Sequence, residues 1–366
     1  MDANIFKGAE NLLLACAGMK SGDKLLILYE SADLNFFDAS IVDAVANSAK
    51  QLGISVTLFE VPFSRDVADP SPECISLMKG ADRSLFLARL GDQIRFRPSQ
   101  GAIQPIVSYA LNADMLASSF GQTDYRAFVE IKNLVNSCLA GAKDIRVTCP
   151  LGTNFSGPFA DYPTEAADVT VTRFPMSVFT PAPASNFSGM VAQQGFLVGT
   201  GSQYYDPYAC RLEGILNVNF EAGRITGFDG LQSDVDTAKA HYEHVGKLYG
   251  IDPYFVHSWH AGIHPGCDYP QPAAANFERW SGGAFGNPRL LHFHTCGAYA
   301  PGEISLNILD ATVCVDGANV WDNGRFYPER IAGGDAIFER FPDLRGVFNN
   351  PSQNCGLGPK GCLSFD

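Results

Sequence analysis

The first 145 residues alternate short apolar segments with amphipathic segments of helical period, and this alternation restricts the fold more than any other feature of the sequence. Residues 23–30, DKLLILYE, form an apolar run that is typical of a buried strand. Residues 38–53 carry apolar side chains at helical spacing and end on a glycine, and residues 54–62 alternate like a second strand. Because alternating strands and helices build parallel sheets, we expect an α/β domain with a mainly parallel sheet over residues 1–145.

Three further segments extend this prediction. Residues 83–90 and 114–121 are apolar runs that predict two more strands, and residues 126–142 have the spacing of a strong helix. None of the turns between these segments carries GxGxxG or GxxxxGK[ST], the glycine-rich loops that bind phosphate groups. The domain is therefore predicted without a nucleotide-binding loop of either kind.

The second part of the sequence has a different composition. From residue 146 the chain becomes rich in Gly, Pro, Thr and aromatic residues. Residues 213–230 predict a β-hairpin, because apolar alternation lies on both sides of a glycine turn. Residues 234–250 predict one helix, with His241 and His244 on a face that we expect to be solvated. We therefore expect a β-rich α+β domain over residues 146–366.

Five of the seven histidines lie between positions 257 and 294. His257, His260 and His264 occupy a Gly- and Pro-rich segment, which can direct side chains inward without a regular period. His292 and His294 alternate in a predicted strand, so they share one face of it. Two or three neutral imidazoles, usually with a carboxylate, are typical ligands of a mononuclear transition metal. The cluster therefore predicts a metal or catalytic site in the C-terminal domain.

The spacing of the other ligand-type residues leaves the kind of site open. Glu303 stands at the start of a predicted apolar strand, residues 304–315, where a carboxylate ligand to a pocket metal is expected. A zinc site that uses Cys267 and Cys296 is an alternative, but no CxxC pair supports it. The sequence contains neither HExxH nor a GxSxG nucleophile elbow.

Composition limits the partners and the location. The formal net charge of −13 argues against a nucleic-acid partner, since phosphate binding needs an excess of Lys and Arg. No apolar run approaches the roughly 18–20 residues of a membrane span, and the start of the chain lacks the basic and apolar regions of a signal peptide. Ten scattered cysteines without a CxxC pair are typical of reduced thiols. We expect a cytoplasmic protein with no nucleic-acid or membrane partner.

Five segments carry a resemblance to a known superfamily. They are KSGDKLLILYE, VTCPLGTNFSG, EGILNVNFEAGRITGFDG, HAGIHPG and LDATVCVDG. Together, and in this order over most of the chain, they resemble the superfamily of aminopeptidase T-type leucyl metallopeptidases and 2,5-dihydroxypyridine 5,6-dioxygenases. The resemblance implies a metal-dependent enzyme that forms a homo-oligomer.

The chain departs from the peptidase branch at both of that branch's metal-binding glutamates. The peptidases resemble one another in a GGEVFTAP stretch, and this chain has PMSVFTPAP there, with Ser177 in place of the glutamate. A second peptidase glutamate falls just after HAGI, where this chain has His264 and Pro265. The resemblance therefore implies that a two-metal peptidase site is not kept and that the dioxygenase branch is closer.

The dioxygenase branch implies one Fe(II) held by two histidines and an aspartate, and here too the motif is altered. His260 is the nearest match to the first histidine, whereas the His-x-Asp pair falls on Glu303 and Ser305. A set of two histidines and one carboxylate can be rebuilt from His260, Glu303 and one of His292 or His294, and we favour His294. This set is our inference from the residues available and is not part of the resemblance.

The predicted function is a non-haem Fe(II)-dependent dioxygenase that uses O₂ to cleave the ring of a small hydroxylated N-heterocycle or aromatic compound, similar to 2,5-dihydroxypyridine. His264 or His257 is predicted to move the proton of the substrate hydroxyl. The alternative is a metal-dependent hydrolase that acts on an amide or a ring C–N bond with zinc or manganese. In that alternative, Glu303 serves as general base instead of metal ligand.

Overall fold

A parallel sheet and a larger antiparallel sheet form the framework of the molecule. The computed structural model describes residues 2–66, 69–97, 104–159, 169–298 and 302–358. In chain order the strands are β1 (Lys24–Tyr29), β2 (Ser55–Glu60), β3 (Arg83–Leu87), β4 (Ile106–Ser108), β5 (Ile145–Thr148), β6 (Asn154–Gly157), β7 (Thr172–Phe174), β8 (Ala182–Pro183), β9 (Ser188–Gly199), β10 (Ala209–Glu221), β11 (Arg224–Asp229), β12 (Val256–Ala261), β13 (Leu290–Thr295), β14 (Ile304–Leu309), β15 (Thr312–Val315), β16 (Ala318–Asp322) and β17 (Arg325–Phe326).

The helices lie between these strands and cover the sheets. In chain order the α-helices are α1 (Ala3–Glu10), α2 (Ala39–Gln51), α3 (Pro72–Gly80), α4 (Leu90–Gln93), α5 (Ala113–Ala117), α6 (Ser119–Gln122), α7 (Tyr125–Ala140), α8 (Gln232–Tyr249), α9 (Phe277–Gly283), α10 (Gly334–Arg340) and α11 (Leu344–Asn349). A π-helical segment (Asn11–Cys16) and three short 3₁₀ segments (Ala32–Leu34, Ala273–Ala275, Pro328–Arg330) complete the set. Among the described residues, no helix is both long enough and apolar enough to cross a bilayer.

The parallel sheet has the strand order β2-β1-β3-β4-β7, and every neighbouring pair in it is parallel. Ile41, Val45 and Ala49 recur at helical spacing on α2 and join the same buried cluster as Leu25 and Ile27 of β1. The predicted parallel sheet is therefore present in the first part of the chain. Its fifth strand, β7, lies beyond residue 145, and the domain boundary at that residue stays a prediction.

The antiparallel sheet has twelve strands and runs β17-β16-β15-β5-β6-β9-β14-β13-β12-β8, with the β10–β11 hairpin attached through β9. The hairpin is the one predicted over residues 213–230, and Ala222 and Gly223 take positive φ angles of 47° and 75° at its turn. A two-residue hairpin turn whose twist matches that of its strands needs a positive φ angle at both of its residues. Every residue of β13 and of β14 is buried, so these two strands form the centre of the sheet.

Residues 114–121 are helical, and the prediction of a strand there is wrong. They form α5 and α6, and the Asn112 side chain accepts a hydrogen bond from the Met115 amide at the start of α5. Leu116 and Phe120 are four residues apart and both are buried. A short apolar run does not distinguish a strand from a buried helix, and the Asn cap decides in favour of the helix.

Two smaller predictions also need correction. Residues 304–315 form two strands, because Asp310 adopts a φ of 53° between β14 and β15 and its carboxylate pairs with Arg289. His241 is buried, with only 5 % of its surface exposed, and its ring packs near Tyr205 instead of facing solvent. His244 on the same helix is exposed, as predicted.

Candidate metal centre

Three histidines from two neighbouring strands form a compact group. The antiparallel register of β12 and β13 pairs His260 with His292 and Ser258 with His294. Because cross-strand partners project from the same face of a sheet, the three imidazoles converge. One ligand nitrogen of each lies within 4.8 Å of the other two, and the Nε2 atoms of His260 and His292 are 2.6 Å apart. No second group of this kind occurs in the described part of the chain.

Hydrogen bonds on the outer side of the rings orient this histidine group. The Nδ1 atom of His260 lies 3.1 Å from the carbonyl oxygen of Phe179. A carbonyl can only accept, so Nδ1 carries the proton and Nε2 presents a lone pair to the group. The Nδ1 atom of His294 lies 3.1 Å from the hydroxyl of Ser258. An outer N–H that is hydrogen-bonded and an inner lone pair are the arrangement found in metal-binding histidines.

The charge state of the group also suits a metal. Burial lowers the pKa of His292 and of His294 well below the usual range, and the nearby His260 and Arg95 lower both further. Neutral imidazole is the form that binds a metal. The Nδ1 atom of His292 is buried without a hydrogen-bond partner, so this ring, unlike those of His260 and His294, is held by stacking on Phe285 and not by an outer hydrogen bond. The donor set therefore fits a divalent transition metal.

The histidine group opens on a pocket between the two sheets. Its empty space is about 870 Å³, which includes open solvent at the mouth. The aromatic side chains that line it are Phe96, Tyr109, Phe120, Tyr204 and Phe285. Phe285 stacks on the ring of His292 with 4.0 Å between ring centres.

The wall of this pocket that belongs to the parallel sheet carries charged side chains. Asp92 and Arg95 follow β3, Tyr109 follows β4, and Arg173 lies on β7. Nη1 of Arg95 donates to Oδ1 of Asp92 at 3.2 Å, and the Tyr109 hydroxyl donates to the same oxygen at 2.8 Å. Asp92, Arg95 and Arg173 are all less than 10 % exposed. The carboxyl ends of parallel strands are the usual place for ligands in open α/β sheets.

His257 also lines the pocket. An irregularity in the β12–β13 register between Val256 and Ser258 breaks the strict alternation of side chains, so His257 and His260 both reach the same space. The Nδ1 atom of His257 lies 2.8 Å from the Ser258 hydroxyl. Burial lowers the pKa of His257, which leaves it neutral and able to accept a proton.

His264 lies elsewhere. It is fully buried, stacks on Phe128 with 3.8 Å between ring centres, and accepts a hydrogen bond from the Gly266 amide. Burial lowers its pKa to about 3. Its side chain is not part of the pocket wall, and these contacts are those of a core residue.

The architecture can be compared with that of known proteins. No protein-family model and no curated protein sequence matches the chain. A solved structure of 2,5-dihydroxypyridine dioxygenase from Pseudomonas putida KT2440 aligns with a TM-score of 0.59 at 16 % identity, over 89 % of this chain and 98 % of that one. The chain has the fold of this dioxygenase. Wild-type AmpT from Thermus thermophilus also aligns, with a TM-score of 0.46 and 11 % identity over 88 % of this chain and 98 % of that one.

The structure shows where the residues of the altered ligand motif lie relative to the histidine group. Ser305, where the resemblance places the aspartate of the dioxygenase branch, lies directly opposite His294 in the β13–β14 register. Glu303 lies outside the histidine group: its Oε2 atom accepts a hydrogen bond from the Ser202 hydroxyl, and its carbonyl accepts one from the Tyr205 hydroxyl. The role of Glu303 as a metal ligand stays a prediction, while the structure brings both His292 and His294 to His260.

The charged residues of the pocket wall were not predicted from the sequence. Asp92 and Tyr109 follow parallel strands, and residues at the carboxyl ends of such strands are candidates for ligand binding, so their position could have identified them. Arg173 had no such signal, because β7 spans only three residues in a segment without clear strand pattern. Cys267 and Cys296, the alternative zinc ligands, are buried free thiols outside the histidine group.

Proposed function

We propose that the protein is a non-haem Fe(II)-dependent dioxygenase that cleaves the ring of a small hydroxylated N-heterocycle or aromatic compound. The observation that carries the proposal is the convergence of three imidazoles, His260, His292 and His294, at one point of a pocket lined by aromatic rings. The fold shared with a dihydroxypyridine dioxygenase supports the same reaction class.

The charge of the site favours an ionised substrate oxygen. Three neutral ligands leave the full double charge of a divalent cation uncompensated within the histidine group. A hydroxyl on an electron-rich ring is acidified in such surroundings and binds as the anion. Fe(II) held by three side chains keeps open positions and supplies the one-electron chemistry through which O₂ reacts with the ring.

The chain's own residues handle the proton and position the ring. His257 is neutral and lines the pocket, so it accepts the proton of the substrate hydroxyl. The Ser258 hydroxyl holds His257 beside His294. Phe285 and Phe120 line the pocket, and their apolar rings would help to exclude water around a bound ring. His264, the other residue predicted for this proton transfer, has the contacts of a core side chain, so we propose His257 alone.

A metal-dependent hydrolase is the second candidate, because three histidines also bind catalytic zinc and lower the pKa of its water. Zinc or manganese would then replace iron in the same ligand set. In this candidate His257 is the side chain in the pocket that is placed to act as base.

The two candidates differ in their use of oxygen. We would reconstitute the metal-free protein anaerobically with Fe(II), add 2,5-dihydroxypyridine or other di- and trihydroxylated rings, and record O₂ uptake together with ring absorbance. Uptake equal to the loss of ring absorbance is the expected result. Loss of ring absorbance without O₂ uptake, and only with zinc or manganese, would establish the hydrolase.

Variants of the histidine group test the site itself. His260→Ala, His292→Ala and His294→Ala should each weaken metal binding by at least about 100-fold, because each removes one of three ligands. His241→Gln is the matched control, since His241 is a buried histidine outside the group and should keep wild-type metal affinity. Unchanged metal affinity in all three alanine variants would contradict the site.

A further inference from the structure

Asn307 faces the member of the histidine group that lacks an outer hydrogen bond. The Nδ1 atom of His292 and the Nδ2 atom of Asn307 are both buried without a hydrogen-bond partner among the described residues. The two residues pair directly across β13 and β14. Directly opposite residues of an antiparallel pair share one face of the sheet, with Cβ atoms about 4.5–5.5 Å apart. Two unsatisfied polar atoms therefore lie on facing side chains.

Solvent does not satisfy either atom. His292 is 2 % exposed and Asn307 is 5 % exposed, and the two unpartnered atoms themselves are buried. A buried polar atom without a partner costs stability, and a donor that meets an acceptor recovers it. We therefore expect one of the two side chains to rotate towards the other.

The amide of Asn307 is the side chain that is free to rotate. The ring of His292 stacks on Phe285, and its Nε2 atom lies 2.6 Å from Nε2 of His260. The Asn307 side chain has a single hydrogen bond within the described part of the chain, in which the Ser305 hydroxyl donates to Oδ1 at 3.1 Å. Rotation of the amide group therefore disturbs one contact, whereas rotation of the ring disturbs two.

The proton on each ring decides which end of the amide is needed. Nδ1 of His260 carries a proton, so its Nε2 atom presents a lone pair to His292. The 2.6 Å contact between the two Nε2 atoms then requires a proton on Nε2 of His292, which leaves a lone pair on its Nδ1 atom. The Nδ2 group of Asn307 is a donor and matches this lone pair.

Metal binding reverses this requirement. A metal held by Nε2 of His292 needs the lone pair of that nitrogen, so the ring proton must lie on Nδ1. The outer N–H of a ligand histidine needs an acceptor, and Oδ1 of the same Asn307 amide is one. Ser305 can serve both arrangements, because a hydroxyl either donates to Oδ1 or accepts from Nδ2.

We infer that Asn307 is the outer hydrogen-bond partner of His292 and that its amide turns over when a metal binds. In the metal-free protein Nδ2 donates to Nδ1 of His292, and in the metal-bound protein Oδ1 accepts from it. Asn307 is thus a positioning residue, and Ser305, at the position of the dioxygenase aspartate, acts through it. The inference rests on the metal site of the proposed function, which both candidate functions share.

Zinc affinity, measured on the full-length protein by competition with a coloured chelator, tests this role. Asn307→Leu removes donor and acceptor together and should weaken binding about 10- to 100-fold. Asn307→Asp offers only an acceptor, which suits the metal-bound ring, and should tighten binding at least about threefold. A residue needed only for packing would lose affinity in both variants. Asn11→Leu replaces a buried asparagine outside the histidine group and should keep wild-type affinity.

Long-range ¹H–¹⁵N spectra of the histidine rings give a second measurement, which does not need zinc. In the metal-free wild type, His292 should carry its proton on Nε2, and its Nδ1 signal should show the upfield shift of a hydrogen-bonded acceptor. In Asn307→Leu that signal should move to the position of a free nitrogen. In Asn307→Asp the proton should lie on Nδ1 before any metal is added.

Three results would each overturn the inference: equal loss of zinc affinity in Asn307→Leu and Asn307→Asp, wild-type affinity in Asn307→Leu, or the same Nδ1 signal in wild type and Asn307→Leu. All three leave the proposed function intact, because the wild type still binds zinc. A wild type that binds no zinc would overturn the proposed function and the metal-bound half of the inference. The metal-free spectra alone would then decide whether Asn307 donates to His292.

Discussion

Glu303 illustrates what burial does to a single titratable side chain. It is 3 % exposed, and burial raises its pKa to about 7, although the Ser202 hydroxyl and the Arg95 guanidinium both lower it. The folded chain therefore holds a proton on Glu303 at pH values where an unfolded chain, with a pKa of 4.5, has released it. Folding stability must fall as pH rises between these two values.

Glu303→Gln should remove this pH dependence. The variant keeps an acceptor for Ser202, so between pH 5 and pH 8 the wild type should lose about 3 kcal/mol of unfolding free energy relative to the variant. Urea denaturation of both metal-free proteins at the two pH values measures this difference. Glu339→Gln changes an exposed glutamate and serves as control. Parallel pH profiles for wild type and Glu303→Gln would show that Glu303 is not protonated in the fold.

The pairing of β12 with β13 brings the three histidines together, and the Ser258 side chain links a histidine ring on each of these strands. The hydroxyl of Ser258 lies within hydrogen-bond distance of Nδ1 of His257 and Nδ1 of His294. It holds His294 on β13 and His257 on β12. The orientation of both rings therefore depends on one side chain that is not part of the histidine group.

Ser258→Ala should weaken metal binding by about 10- to 100-fold, the usual cost of losing the partner of a ligand histidine. Competition with a coloured chelator measures the metal affinity. Ser55→Ala, on an exposed position of β2, should leave it unchanged. Wild-type affinity in Ser258→Ala would mean that His294 is oriented by packing alone.

Local pattern predicted several elements correctly, but it did not predict how the strands pair. Helix α2 and strand β1 follow from the spacing of their own apolar residues, and both were predicted. The pairing of His260 with His292 joins strands about thirty residues apart, and no local pattern contains that register. The resemblance pointed to Glu303, just before β14, and to Ser305 on β14, whereas the structure gathers the histidines of β13, one strand away. Only the sheet register reveals that His294 and Ser305 share one face.

At the scale of the whole molecule, a buried ion-pair network ties the parallel sheet to helix α9. The Arg89 guanidinium pairs with Glu30 at 3.0 Å and with Glu278 at 2.6 Å, and it lies 3.4 Å from the centre of the Phe63 ring. Glu30 and Glu278 are far apart in the chain, one after β1 and one on α9. A single side chain therefore connects the sheet to the helix whose Ser281, Gly282 and Gly283 line the pocket.

Arg89→Met should destabilise the fold by about 3–5 kcal/mol, because Glu30, only 3 % exposed, loses its countercharge in the interior. The midpoint of urea unfolding measures the loss. Arg340→Met breaks an exposed pair with Glu130 and should cost less than about 1 kcal/mol. Equal losses in the two variants would contradict the structural role of the network.

The arrangement of the pocket has a consequence for how the protein is made. The charged wall of the pocket comes from residues 92–173, whereas the three clustered histidines lie at 260, 292 and 294. A chain growing on the ribosome therefore exposes the residues of the wall long before the second strand of the histidine group. A metal held by all three histidines could bind only after residue 294, about four fifths of the chain, has been translated.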